Sequence, residues 1–383
     1  MTQTRNNIAF VRTADAPLLP APRNMTGVVG WMRENLFPTP LNALASVLIG
    51  GFLIWQIWGV IDWALVRGVF FGEDREACIT PPREGVQPGA CWAFIGAKFH
   101  QFIYGFYPFE ERWRVDVLAV VFAGLLAALA VPRVPYKLYT GITFVFGLPI
   151  LAEILLYGGT FGLAAVDTNK WGGLLLTMVV AVSGIVLSLP LGVLLALGRR
   201  SEMPIVRYFC IAFIEIWRGV PLITVLFMAS IMLPLFLPQG MNTDKMLRII
   251  IGVALFSSAY MAETVRGGLQ AIPKGQYEAA KALGLGYWRM TLLIILPQAL
   301  KIVIPGIVNT FISLFKDTTL VLVVGLFDFL GIIQAGAADQ KWVSAETARS
   351  GYFVAALVYW AFCFSVSRYS IHMERRLATG HRR

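Results

Sequence analysis

Charged residues are scarce in this chain of 383 residues: Asp, Glu, Lys and Arg make up 14% of it, whereas soluble domains carry about one-quarter. Hydrophobic residues make up 57%. This composition excludes an ordinary soluble domain and predicts an all-α integral membrane protein with several spans. A formal net charge of +10 could suggest nucleic acid, but the basic residues stand in short clusters between apolar runs. Such clusters are typical of membrane-protein loops, so no nucleic-acid partner is predicted.

Catalytic signatures are also missing. The sequence contains no HExxH, no GxSxG and no GxxxxGK[ST] phosphate loop. Its three histidines, His100, His372 and His381, are far apart in the sequence, so no metal site is predicted. We therefore expect neither an enzyme nor a chain that itself binds a cofactor. A solute moved against a gradient would need energy from another subunit or from an ion gradient.

Cysteine is rare, with four residues in the chain. Cys78 and Cys91 share one loop, whereas Cys210 and Cys363 fall in apolar runs. A bond between the first two fits an oxidising periplasm, and two unpaired thiols are the alternative. The aromatic run that starts at Cys91, CWAFIGAKFHQFIYGFYPFEERWR, suits the interfacial belt of a membrane, and a docking surface for an external partner is the alternative.

Apolar runs long enough to cross a bilayer predict eight spans. Their approximate limits are 41–66, 115–131, 138–157, 172–197, 206–237, 247–265, 292–315 and 351–369. The first part of 206–237 carries charged side chains, so it is expected to lie along the interface before crossing begins near Val220. The apolar segment 318–333 is barely long enough to cross and is interpreted as partly inserted or re-entrant.

The distribution of Lys and Arg between the loops predicts that both termini are cytoplasmic. Residues 1–40 are polar and Pro-rich, lack a secretory signal and are interpreted as a loosely ordered cytoplasmic tail. The loop 67–114 is then periplasmic, and 374–383 form a basic cytoplasmic tail.

Two rows of small residues predict close helix packing. In each row, small residues recur every four positions. One row is Gly184, Ser188, Gly192 and Ala196, and the other is Ala254, Ser258 and Ala262. Packing within the chain and contact with another subunit both fit these rows.

Ionisable residues near the spans are candidates for function, because charge in hydrocarbon is costly. Glu215 with Arg218, and Glu263 with Arg266, have the i, i+3 spacing of structural ion pairs. Lys316 and Asp317 are expected to end the seventh span at its outer side. They either line a substrate path or neutralise one another there.

A polar island, residues 261–306, interrupts the apolar sequence and faces the cytoplasm in this topology. It predicts a short helix over 276–283, whose small alanines would fit a partner's groove, followed by a turn at Gly284. The island reproduces the EAA pattern of ABC importer permeases, which fixes seven positions over 20 residues. The matching residues are Glu278, Ala279, Ala280, Gly284, Ile294, Leu296 and Pro297.

The surrounding sequence, with RGVPLI at 218–223 and KDTTL at 316–320, resembles the polar amino-acid uptake branch of that family, the histidine and glutamine permease type. The resemblance covers 165–373 and implies a type I ABC importer permease core of five helices. The part before it, 41–157, adds three helices, as in the larger membrane subunit of general L-amino-acid importers of Gram-negative bacteria.

This resemblance implies an ATP-driven uptake system in the bacterial inner membrane. The loop 266–291 would couple the chain to a separate ATPase dimer, which would bind ATP and Mg²⁺. The predicted coupling residues are Tyr277, Glu278, Ala279, Ala280, Lys281 and Gly284. The other implied partners are a periplasmic amino-acid-binding protein, a second homologous permease that completes a heterodimer, and membrane lipid.

An amino acid carries both charges, so its path needs polar groups in an apolar wall. The candidates are Ser257, Ser258, Tyr260, Asn309 and Ser313, together with Lys316 and Asp317. Hydrogen bonds between helices without a ligand are the alternative for each. A secondary transporter driven by an ion gradient, and a membrane scaffold that transports nothing, are the competing functions.

Overall fold

The computed structural model describes residues 27–80, 85–131, 133–236, 238 and 243–378. The chain divides into two compact units, Met1–Arg67 and Gly68–Arg383. The described residues contain helices and three isolated β-bridges, with no β-strand. The prediction of an all-α protein is therefore confirmed.

The described part of the first unit, from Gly27 on, holds two α-helices, α1 (Gly27–Asn35) and α2 (Pro40–Ile61), and α2 continues as a π-helix over Asp62–Val66. Thr39 caps α2 by accepting a hydrogen bond from the Asn42 N–H at 3.2 Å, and Pro40 suits the first helical turn because its missing N–H would have no partner there. Residues 1–26 of the predicted tail lie outside the described residues, but α1 shows that its last part is helical.

The second unit begins with the remaining helices that precede the predicted core. They are α3 (Arg75–Ile79), α4 (Trp92–Tyr104), α5 (Arg112–Ala130), α6 (Lys137–Ile142) and α7 (Leu148–Ala152). The π-helical segment Thr143–Gly147 joins α6 to α7, and a second one, Glu153–Tyr157, extends α7, so that Lys137–Tyr157 is one long apolar stretch.

The described residues of the rest of the second unit contain eleven further α-helices. They are α8 (Gly173–Arg199), α9 (Pro204–Gly219), α10 (Leu222–Phe227), α11 (Leu233–Phe236), α12 (Lys245–Ala271), α13 (Lys274–Ala282), α14 (Tyr287–Met290), α15 (Leu296–Ile302), α16 (Ile304–Asp317), α17 (Phe329–Ala337) and α18 (Ala345–Ala378). A 3₁₀-helix over Thr318–Val324 extends α16.

Seven helical stretches in the described residues are long and apolar enough to cross a membrane, and α9 with α10 and α11 forms an eighth candidate that is bent by 102°. The number of spans agrees with the prediction, but the limits of the seventh differ. It runs over Ile304–Val324 instead of 292–315, because the chain leaves the helical course at Val303, just before Pro305. Lys316 and Asp317 thus lie inside a span, and only the later part of 318–333 forms a separate helix.

The two rows of small residues pack against each other inside the chain. Gly184, Ser188, Gly192 and Ala196 on α8 are buried, as are Ala254, Ser258 and Ala262 on α12. A Cβ atom at Gly192 would lie 2.6 Å from the Met261 Cβ, so only glycine allows this approach. The interpretation as intramolecular packing therefore accounts for both rows.

The aromatic run of the predicted outer loop is partly a packing core. It forms α4, which buries Phe94 and Phe102 against Phe329, Ile333 and Trp342. Alternate sides of a helix face different surroundings, so other rings of the run, such as Phe99, stay exposed. Neither a membrane belt nor a docking surface describes the whole run.

A disulfide joins Cys78 to Cys91, whose Cα atoms are 5.4 Å apart. Close to it, the Cys91 N–H donates to the Ser350 hydroxyl at 2.7 Å, and Lys98 pairs with Asp339 at 2.6 Å. The ammonium of Lys98 holds the pKa of the Asp339 carboxyl below its usual range. These contacts tie α3 and α4 to the segment that contains α17 and α18.

Candidate functional site

The break between α9 and α10 forms one wall of a cavity of about 690 Å³. Pro221 has no N–H to continue α9 and disfavours the helical conformation of the residue before it. Val220 accordingly adopts an extended conformation, with φ −108° and ψ 136°. The backbone from Gly219 to Pro221 is thereby exposed to the cavity instead of being closed in a helix.

Two polar stripes form the facing walls. Ser257 and Tyr260 are three residues apart on α12, and Asn309, Ser313 and Asp317 follow at intervals of four on α16. Residues at these spacings share one face of a helix, so each stripe points in one direction. The structure thus brings together five of the seven residues that the sequence singled out for the substrate path.

The other two lie elsewhere. Ser258 is fully buried in the row that packs against α8, and its hydroxyl donates to the Leu255 carbonyl at 2.7 Å. It follows Ser257 directly, and consecutive residues on a helix point about 100° apart. Lys316 is exposed and does not line the cavity. Ser258 therefore faces the packing surface against α8 and not the cavity, and its hydrogen bond lies within α12 instead of between helices.

Arg218 is the main residue whose part in the cavity the sequence reasoning missed. It lines the cavity, and its guanidinium lies 5.7 Å from the centre of the Tyr260 ring. The predicted ion pair with Glu215 does not form, because Glu215 pairs with Arg199 of α8 at 3.1 Å. The signal was present in RGVP, where a charged residue stands three positions before a helix-breaking proline.

A cluster of charged side chains adjoins the cavity. The Glu263 carboxylate accepts from Arg266 at 2.7 Å, as its spacing predicts, and also from Arg199 at 2.7 Å. Arg218 lies farther from it, at 3.8 Å. Glu263 is thus the common partner of arginines from α8, α9 and its own helix α12.

The predicted coupling helix is α13, which begins directly after Pro273, slightly earlier than expected. Glu278, Ala279 and Lys281 are exposed on it, and so is Gly284 in the turn that follows. Gly284 has φ +71°, the left-handed conformation that the turn required of it. These four residues form an accessible surface together with Leu283, which is 77% exposed.

Two of the predicted coupling residues face their own chain instead. Ala280 is 1% exposed and packs among Ile272, Met290 and Ile295. The Tyr277 hydroxyl donates to the Leu269 carbonyl at 3.2 Å and lies 3.0 Å from an Arg200 nitrogen. Ala280 thus seats α13 against its own chain.

The sequence matches the family model described as "Binding-protein-dependent transport system inner membrane component" over residues 188–379, which is half of the chain. The chain belongs to this family. The match contains the cavity, the charged cluster and α13. It identifies the chain as a multi-pass inner-membrane permease component and not an enzyme, as predicted.

Relatives of full length support this assignment. The chain is 48% identical over 368 residues to the inner membrane amino-acid ABC transporter permease protein YhdY of Escherichia coli K12, covering 95% of this chain and 97% of that protein. It is 42% identical to the glutamate/glutamine/aspartate/asparagine transport system permease protein BztC of Rhodobacter capsulatus, covering 98% and 100%. The probable glutamine ABC transporter permease protein GlnP of Bacillus subtilis is 33% identical over 54% of this chain and 92% of its own length.

Proposed function

We propose that this permease moves L-amino acids from the periplasm to the cytoplasm by alternating access in an ATP-driven ABC importer. The observation that carries the proposal is the cavity at the broken span, which has Arg218 on one wall and Asp317 on another. A free amino acid carries a carboxylate and an ammonium group, so a site for it needs both signs of charge. The hydroxyls and the amide of the two stripes offer further hydrogen bonds, and the names of the relatives agree with this substrate class.

The energy would enter at α13. Its exposed Glu278, Ala279 and Lys281, followed by the tight turn at Gly284, suit a helix that sits in the groove of a separate ATPase. That ATPase would bind ATP and Mg²⁺, and this chain would bind neither. Closure of an ATPase dimer would shift α13 and, through it, the helices around the cavity.

The remaining partners follow from the same scheme. A periplasmic binding protein would deliver the amino acid, and a second, homologous permease would complete a heterodimer embedded in lipid. Both termini and α13 would face the cytoplasm, and the disulfide would face the periplasm. The positive-inside distribution of Lys and Arg supports this orientation.

Uptake of labelled amino acids by the complex in proteoliposomes tests the proposal. Uptake should require ATP and the binding protein. Arg218→Gln and Asp317→Asn should each raise the half-saturating substrate concentration about tenfold, the effect of about 1.4 kcal/mol of lost binding. Lys316→Gln is the matched control, because Lys316 adjoins Asp317 but lies outside the cavity.

Two results would contradict the proposal. Uptake that continues without ATP and follows an ion gradient would point to a secondary transporter. An unchanged substrate dependence in both cavity variants would show that the cavity does not bind the amino acid.

A further inference from the structure

Two adjacent arginines at the end of α8 reach two different parts of the molecule. Arg199 pairs with Glu263 at 2.7 Å, in the charged cluster beside the cavity. Arg200 donates to the Leu269 carbonyl at 2.9 Å and approaches the Tyr277 hydroxyl at 3.0 Å. Since neighbouring residues share a backbone, a shift of the backbone at one arginine displaces the other.

The cavity side of this connection carries surplus positive charge. The cluster contains three arginines, Arg199, Arg218 and Arg266, and two glutamates, Glu215 and Glu263. Arg218 has the longest distance to its carboxylate, 3.8 Å, and lines the cavity. An anionic group in the cavity would therefore compete with Glu263 for Arg218, because like-charged arginines gain from a further anion.

The other side of the connection reaches α13, a helix with little buried surface. Ala280 is the one buried residue of α13. Arg200 also lies against the face of the Tyr277 ring, 5.5 Å from its centre, which adds a cation–π contact to the hydrogen bond. Arg200 and Tyr277 thus fix the position of α13 relative to the end of α12, where Leu269 offers a carbonyl that the helix itself leaves without a partner.

We propose that Arg199 and Arg200 connect the cavity to α13, so that an amino acid in the cavity changes the position of α13 through Arg218, Glu263 and Tyr277. Arg200 and Tyr277 are then positioning residues, and the partner that docks on α13 responds to cavity occupancy through them. This inference rests on the proposed function, because it needs both a substrate in the cavity and an ATPase on α13.

The test measures ATP hydrolysis by the reconstituted complex with and without amino acid and binding protein. Tyr277→Phe removes the hydroxyl but keeps the ring, and Glu263→Gln removes the charge that Arg199 and Arg218 share. Each should lower the ratio of stimulated to basal hydrolysis about fivefold or more, the usual size of a coupling between two sites. The amount of co-purified ATPase should stay the same.

The combined variant and a control variant distinguish a loss of coupling from a general loss of function. Glu263→Gln with Tyr277→Phe should lower the ratio no further than either change alone, since both interrupt one connection. Tyr208→Phe is the control, because Tyr208 is an exposed tyrosine of α9, and its ratio should equal that of the wild type.

Three outcomes would overturn the inference. The first is an unchanged ratio in both single variants. The second is a double variant in which the two reductions of the ratio multiply, as expected for independent sites. The third is loss of the ATPase from the Tyr277→Phe complex, which would make Tyr277 a docking contact only. A wild-type complex that neither imports amino acids nor responds to them would instead refute the proposed function itself.

Discussion

The two ends of α8 in the larger unit are held in different ways. This helix of 27 residues is about 40 Å long and separates them. At its first residue, Gly173, the chain adopts φ +63° and lies against the Phe102 carbonyl of α4. We call this the disulfide end, because α4 begins beside Cys91. At the other end, Arg199 and Arg200 meet α12 and α13, and we call this the docking end.

Apolar burial and a covalent bond fix the disulfide end. Cys78, Cys91 and Phe94 have no exposed surface, and Trp342 is 3% exposed. At the docking end, Ala196 and Leu197 of α8 lie in an apolar core, but α13 itself has one buried residue and makes polar contacts through Tyr277 and Gln276. Segments with few buried apolar contacts open at low free-energy cost, whereas packed cores open only with the whole unit. The comparison therefore assigns rigidity to one end and movement to the other.

The largest expected effect on binding of the ATPase is at the docking end. Gly284→Asp forces a residue with a Cβ into the left-handed conformation, at a cost of about 1–2 kcal/mol, and adds a charge to the docking surface. The amount of ATPase that co-purifies should fall about tenfold or more. Quantitative pull-down of the ATPase with the tagged permease measures it.

Gly286→Asp is the control for charge. Gly286 has φ −66° and open space around its Cα, so aspartate fits there without strain, and we expect less than about a twofold change. A Gly284→Asp complex that keeps its ATPase and transports normally would show that the turn is not part of the docking surface.

A pair of truncations compares the two ends directly. Phe94→Ala removes a ring that contacts Phe102 and Trp342 at 5.5 and 5.9 Å between centres, and should destabilise the protein by about 3–5 kcal/mol. Leu283→Ala removes a side chain that is 77% exposed, and should cost less than about 0.5 kcal/mol. Unfolding of the purified protein in detergent gives both values. Equal losses would mean that the two ends do not differ in packing.

The sequence predicted the docking end better than the cavity. Hydropathy gave the spans, and a local pattern gave α13 within a few residues. A local pattern does not say which side of a short helix faces inward, so the burial of Ala280 could not be predicted from it.

The cavity depends on contacts between residues distant in the sequence. Glu215 pairs with Arg199 of α8 and not with Arg218, and the i, i+3 spacing of Glu215 and Arg218 does not reveal this competing partner. The choice between Ser257 and Ser258 likewise depends on the direction from which α8 packs on α12. Polar residues at helical spacing on α16 were enough to predict Asn309 and Ser313.

The smallest expected effect on transport concerns the disulfide. Cys78→Ser opens a link between residues 13 positions apart, and a loop of this size stabilises a protein by about 3 kcal/mol through the entropy of the unfolded chain. The wild type should lose this stability on reduction, and Cys78→Ser should not respond to reductant at all. Thermal unfolding in detergent, with and without reductant, measures the difference.

Cys363→Ser serves as the matched control, because Cys363 is a free cysteine and its loss should leave the response to reductant intact. Transport by the reduced wild type sharpens the comparison. Since movement is assigned to the docking end, reduction should lower thermal stability while leaving the ATP-stimulated uptake rate at 25 °C within about a factor of two. A rate that falls in proportion to the lost stability would show that the disulfide end moves during transport, and the division between a rigid and a mobile end would be wrong.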